Sequence, residues 1–174
     1  MVTGDHIAET AETSGLVGTP YSKLDCQALV EKVLALSGLK IINYRGSNHM
    51  WRDLVDGREK TDEAVILPGM LAFIVRNDGG EQRRGYHDNM GNAVHVAIAL
   101  GNGKVFESAT GGVQYGSIKR FTHVARIKDV VYDDSDDGGS WTAPASLAER
   151  IDKIKEELMQ IRSELEALKN VIDY

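Results

Sequence analysis

The sequence predicts an α+β domain with its helices first and its sheet afterwards, followed by a separate coiled-coil helix. Three observations lead there. An apolar helical face runs from Leu24 to Leu36. Short apolar strand patterns begin only after residue 69, and an unbroken heptad seam starts beyond an acidic linker. Segregated helices and strands point to a layered antiparallel sheet and away from a doubly wound one.

Leu24–Leu36 places Cys26, Leu29, Val30, Val33 and Leu34 on one face and stops at Gly38. Either Ser22 or Asp25 can cap its start. Ser47 can cap a second short helix through Met50, Trp51 and Leu54. Strands are expected at Met70–Val75, Val94–Leu100, Lys104–Ser108 and Val124–Ile127, separated by Gly and Asn turns. Gly101-Asn102-Gly103 falls between two of them and reads as a hairpin turn, so no glycine-rich phosphate loop is present. Residues 1–13 are polar and read as an N-terminal tail, and residues 14–132 as the domain.

Residues 133–143 form an acidic linker: Asp133-Asp134-Ser135-Asp136-Asp137-Gly138-Gly139-Ser140 can bury nothing. In residues 144–174, Leu147, Ile151, Ile154, Leu158, Ile161, Leu165, Leu168 and Ile172 alternate spacings of 4 and 3. That is an a/d seam. With Ile151 at a, Glu157 and Glu164 fall at g and Arg162 and Lys169 at e, which pairs opposite charges in a parallel homo-oligomer, Arg150 with Lys155 being the exception. A lone amphipathic helix folded back on the domain is the alternative, and mixed Ile and Leu at both positions leaves dimer and trimer open.

Composition narrows the function. A net charge of -6 over 174 residues disfavours the phosphate neutralisation on which nucleic-acid binding rests. No apolar run approaches the roughly 20 residues that span a bilayer, so membrane insertion is not expected. Met1–Gly15 carries Asp5, Glu9 and Glu12 where an export signal needs basic and then apolar residues, so synthesis in the cytoplasm is expected. The histidines and acids lack paired ligand spacing, and neither a metal nor a cofactor is expected.

Cys26 is a single cysteine and cannot form an intramolecular disulfide. At a helix start the unpaired amides and positive dipole end stabilise the thiolate, the nucleophilic form. In the Val94–Leu100 strand, Val94, Val96, Ile98 and Leu100 alternate with His95, Ala97 and Ala99. The small residues leave room on the histidine face for a closely packed helix. A three-residue turn at Gly101–Gly103 pairs Ala97 with Glu107, which puts Glu107 on the face of His95. A thiol, an imidazole and a carboxylate can then meet as nucleophile, base and orienting group. His123 is the substitute for Glu107 in the third role. His49 and Trp51, and His87 in the loop before the His95 strand, are candidates for bordering the cleft.

Gly18-Thr19-Pro20-Tyr21, Leu24-Asp25-Cys26-Gln27-Ala28, Leu67-Pro68-Gly69-Met70-Leu71 and His95-Val96-Ala97-Ile98 through Glu107 stand in order. Together they resemble the NlpC/P60 family of cell-wall cysteine peptidases over Ser14–Val131. The resemblance implies a papain-like fold and hydrolysis of amide bonds in peptidoglycan stem peptides, commonly beside a D-glutamyl residue. It implies Cys26 as nucleophile, His95 as base and Glu107 as third polar residue, with Tyr21 and Asp25 at positions that hold the substrate's amino end. The chain departs from the family pattern in three places. Gln27-Ala28 stands for Ser-Gly, which makes Gln27 the altered substrate contact; Met70 stands for Asp, and Glu107 for the usual His. A catalytically inert assembly protein on the same fold is the alternative function. Delivery to the cell wall by lysis or by a phage particle, with virion proteins as partners, is the expected route for a wall enzyme without an export signal.

Overall fold

The computed structural model describes residues 1–133 together with Met159 and Arg162. The chain divides into two units, Met1–Asp137 and Gly138–Tyr174. Most of the expected linker and of the coiled coil lies outside the described residues.

In the first unit, helices α1 (Gly4–Thr13), α2 (Cys26–Leu36) and the short α3 (Ser47–His49), which continues as a wider turn over Met50–Leu54, precede most of the sheet. Strands β1 (Val55–Lys60), β2 (Leu71–Arg76), β3 (Asn92–Ala99), β4 (Lys104–Ala109), β5 (Gly112–Ser117) and β6 (His123–Ile127) form one antiparallel sheet of order β1-β6-β2-β3-β4-β5. The four expected strands are β2, β3, β4 and β6. The other two, β1 and β5, are the sheet edges, where Val-Asp-Gly-Arg-Glu-Lys and Gly-Val-Gln-Tyr-Gly-Ser carry little apolar alternation.

Period-two alternation gives the sheet two faces. On one face, Val96, Ile98, Phe73 and Phe106 pack with Leu29, Val30, Val33 and Leu34 of α2 and with Ile7, Ala8 and Ala11 of α1. On the other, Met70, Ala72, Ala97, Ala99, Val105 and Val124 pack with Ile118 and Phe121. Two expectations are corrected here. The close-packed helix lies on the bulky face of β3, because α2 supplies large apolar side chains to fill against; the alanine face is covered by Ile118 and Phe121 with partly buried Ala64, Ile66, Leu67 and Tyr132.

Residues 1–13 are the second correction. They are not a tail but contain α1, capped by Thr3, whose hydroxyl accepts from the His6 amide at 3.2 Å. Ile7 and Ala11 are fully buried. The Gly4 amide donates to the Val131 carbonyl at 2.9 Å and the Val131 amide to the Val2 carbonyl at 3.0 Å, so the chain start is fastened to the end of the sheet unit.

Candidate active site

The β3–β4 turn has the expected register, but the pair expected between Ala97 and Glu107 does not form. Ile98 faces Phe106 and Ala99 faces Val105, and the β3–β4 ladder stops there although both strands continue. The start of α2 is tied to β4 beyond that point, where the Ser108 hydroxyl donates to the Leu24 carbonyl. Asp25 is the α2 cap, its carboxylate accepting from the Ala28 amide at 2.8 Å. Cys26 is therefore the first helical residue, close to the unpaired first-turn amides.

His95 reaches Cys26 from β3. Its Nε2 bonds Glu107 Oε2 at 2.8 Å, which leaves Nδ1 as the nitrogen for the thiol. Burial works against the Cys26 thiolate, but the hydrogen bond and charge of His95, with the Val96 amide, outweigh it and hold the thiol below its ordinary value. Burial likewise opposes the imidazolium, yet the bonds to Cys26 and Glu107 and their charges push His95 up to about 9. Each partner therefore favours the charged form of the other, thiolate beside imidazolium.

Glu107 is completely buried, and its Oε2 also accepts from an Arg120 NH2 group at 3.0 Å. The His95 ring stacks on Phe121 with centroids 5.7 Å apart and planes at 27°. His123 does not take the third role. It lies against Trp51 at 5.5 Å and its Nδ1 meets the Thr122 hydroxyl; burial, then Lys60, lowers it, so it is neutral.

A cleft of about 500 Å³ opens over the imidazole, lined by Tyr21, Ile74, His95, Ala109, Thr110 and Arg120. The Tyr21 hydroxyl meets both the thiol and the backbone amide of Cys26. Burial, then the charge of Cys26, raises it, and it stays protonated as a donor. Other candidates sit elsewhere. Gln27 donates to the Tyr44 carbonyl and, at 3.0 Å, to Glu31, fastening the chain around residue 44 to α2. His49 bonds Asp53 at 2.6 Å and accepts from the Arg45 amide at 3.0 Å. Trp51 is core, tilted on Phe73 with its indole N–H on the Met90 carbonyl, because an aromatic of that size fills the bulky face of the sheet. His87 is exposed on the loop before β3. Among the described residues no cluster of His, Cys, Asp and Glu suits a metal, and no helix is long and apolar enough to cross a membrane.

A first-turn cysteine over a strand histidine backed by a strand carboxylate, on a six-stranded antiparallel sheet, invites comparison with solved structures. The chain is similar to the crystal structure of the NlpC/p60 domain of peptidoglycan hydrolase SagA, at 23% identity and a TM-score of 0.52, covering 72% of this chain and 99% of that one. The fold is that of an NlpC/P60 domain. A further similarity, to NlpC1 from Trichomonas vaginalis, has 20% identity and a TM-score of 0.45 and covers 71% of this chain and 43% of that one. Neither a family model nor a curated protein matches the sequence.

Two residues of this NlpC/P60 fold that support the site escaped the sequence reading. Arg120 and Gly116 belong to no motif; the available signal was that Glu107, between Phe106 and Ser108 on a central strand, needs a cation when buried.

Proposed function

We propose that the chain is a cysteine peptidase that hydrolyses amide bonds in peptidoglycan stem peptides. The observation that carries this reading is the paired thiol and imidazole of Cys26 and His95, backed by buried Glu107, at the mouth of an open cleft. The likeness to a fold whose solved example is a peptidoglycan hydrolase supports the substrate class.

In the reaction the Cys26 thiolate attacks the scissile carbonyl, and the first-turn amides of α2 with the Tyr21 hydroxyl stabilise the oxyanion. The imidazolium of His95 gives its proton to the departing amine, leaving a thioester on Cys26. Water, deprotonated by the now neutral His95, then attacks the thioester, releasing the acid and the thiol. Glu107 fixes the ring by holding Nε2 throughout.

Incubation of purified cell walls with the protein, followed by mass spectrometry of the soluble fragments, tests this reading. New stem-peptide amino ends are expected with the parent and not with Cys26→Ala. Fragments released equally by both proteins would sink it. The heptad seam of residues 147–172 adds a homo-oligomer to the proposal. Light scattering should give two or three times the monomer mass, and a monomer at high concentration would remove that part.

A further inference from the structure

Adjacent residues of β4 hold the two halves of the thiol–imidazole pair. Successive side chains of a strand point to opposite sides, and Glu107 and Ser108 are both fully buried. Glu107 bonds His95, which β3 supplies, while Ser108 donates its hydroxyl to the carbonyl of Leu24, just ahead of Cys26. The β3–β4 ladder, Ile98 with Phe106 and Ala99 with Val105, ends short of both. The approach of thiol to imidazole therefore depends on what each is fastened to.

Ser108 also faces Val113 across the β4–β5 hairpin, and that pair closes a loop. The Val113 carbonyl accepts from the Gly18 amide and the Val113 amide donates to the Thr19 carbonyl, each at 2.9 Å, while Ser108 takes the Leu24 carbonyl at the far end. Between them the Pro20 carbonyl accepts from the Lys23 amide at 2.9 Å and the Leu24 amide at 3.1 Å. Gly18–Leu24 is thus a tight turn with both ends on one cross-strand pair. It carries Tyr21, whose hydroxyl meets the thiol and amide of Cys26. The fit is close, since a Cβ on Gly112 would stand 2.4 Å from the Thr19 carbonyl oxygen.

We propose that Ser108 is the positioning residue of the nucleophile: by holding the Leu24 carbonyl it sets the Cys26 thiol against His95, as Glu107 sets the imidazole. The inference goes beyond the peptidase reading above and rests on it only for its consequence in turnover. Alanine at 108 removes the donor from a buried position, and the Leu24 carbonyl then turns to another partner and carries the first turn of α2 with it. A thiol displaced from its imidazole loses both the hydrogen bond and the charge that favour the thiolate.

Alkylation of Cys26 by iodoacetamide, followed across pH, reads the thiol without any substrate. The rate at pH 7 should fall about tenfold or more in Ser108→Ala and recover at alkaline pH, because the thiol then ionises nearer its ordinary value. Ser108→Thr and Ser108→Val add nearly the same bulk and differ in the hydroxyl. The threonine variant should stay near the parental profile and the valine variant should follow alanine, and this comparison decides the matter should Ser108→Ala fail to fold. A parental profile in folded Ser108→Ala, or equal profiles in the threonine and valine variants, would overturn the inference even where guanidinium melts show lost stability. Cell-wall hydrolysis should slow in the same order as alkylation. The two readings fail separately. A parent that alkylates fast at pH 7 and slows in Ser108→Ala, yet releases no stem-peptide fragments, defeats the peptidase reading and leaves the role of Ser108. Parent and Ser108→Ala proteins that release fragments at one rate and share one alkylation profile do the reverse.

Discussion

A methyl group placed on Gly116 would come within 2.1 Å of Glu107 Oε1. That oxygen is buried and has no hydrogen-bond partner, whereas Oε2 carries the bonds to both His95 and Arg120. The carboxylate thus occupies space that the edge strand β5 leaves open only because residue 116 lacks a side chain. Gly116→Ala should displace Glu107 from His95 and slow hydrolysis about tenfold or more, with an overpacking cost of about 1–3 kcal/mol in stability. Denaturant melts and kcat/KM measured on the same protein check both effects. Unchanged turnover in a variant of parental stability would show that Glu107 has slack the structure does not suggest.

The directions at Cys26 and His95 fix a pH profile. Activity needs thiolate and imidazolium together, so kcat/KM should rise through a Cys26 ionisation lying below that of an ordinary thiol and fall as His95 loses its proton around pH 9. The stability contribution has its own sign. His95 is raised from 6.5 to about 9, so its contribution is complete below about pH 6.5 and is lost as pH rises through about 9. Alkylation of Cys26 by iodoacetamide should accordingly be fast already at pH 7. A rate that climbs only above pH 8, as for a free thiol, would remove the ion pair.

Glu107→Gln should reduce turnover less than His95→Ala, because an amide can still accept from Nε2 whereas nothing replaces the proton donor and acceptor. It should also move the basic limb of the pH profile downward, since the bond and charge of Glu107 are among the causes that raise His95. A basic limb at the parental position in Glu107→Gln would show that Cys26 alone sets it.

Much of the site was legible because it rests on local patterns. The α2 start marks Cys26 and the glycine turn before Lys104 sets the Ile98–Phe106 pairing, whereas the alternation around His95 pointed to the wrong face for α2. What escaped depends on long-range contacts that no local pattern records. Arg120 comes from a single turn after β5, Gly116 matters only for the side chain opposite, and the polar edge strands β1 and β5 gain their form from neighbours. Trp51 shows the converse error, since an aromatic beside a histidine in sequence is filled into the core while the histidine binds Asp53 outside it.

α1 is the largest element that the polar sequence of residues 1–13 concealed. Its apolar stripe is short, Ile7, Ala8 and Ala11, yet these side chains join the cluster that contains Cys26 and Leu29. Its start is equally constrained: a Cβ on Gly4 would stand 2.3 Å from the Pro68 carbonyl oxygen, and one on Gly69 would stand 2.2 Å from the Gly4 carbonyl oxygen. Gly69 moreover has φ +77°, a conformation that side-chain-bearing residues rarely adopt. Helix and β2 entrance therefore meet backbone to backbone. Ile7→Ala should cost about 2–5 kcal/mol, as for a fully buried aliphatic truncation, and removal of residues 1–13 should destabilise the whole unit. Under mild denaturant both variants should lose Cys26 reactivity together with tertiary structure, because the same cluster supports α2. A truncated protein that melts with the parent in guanidinium chloride would return these residues to the status of a tail.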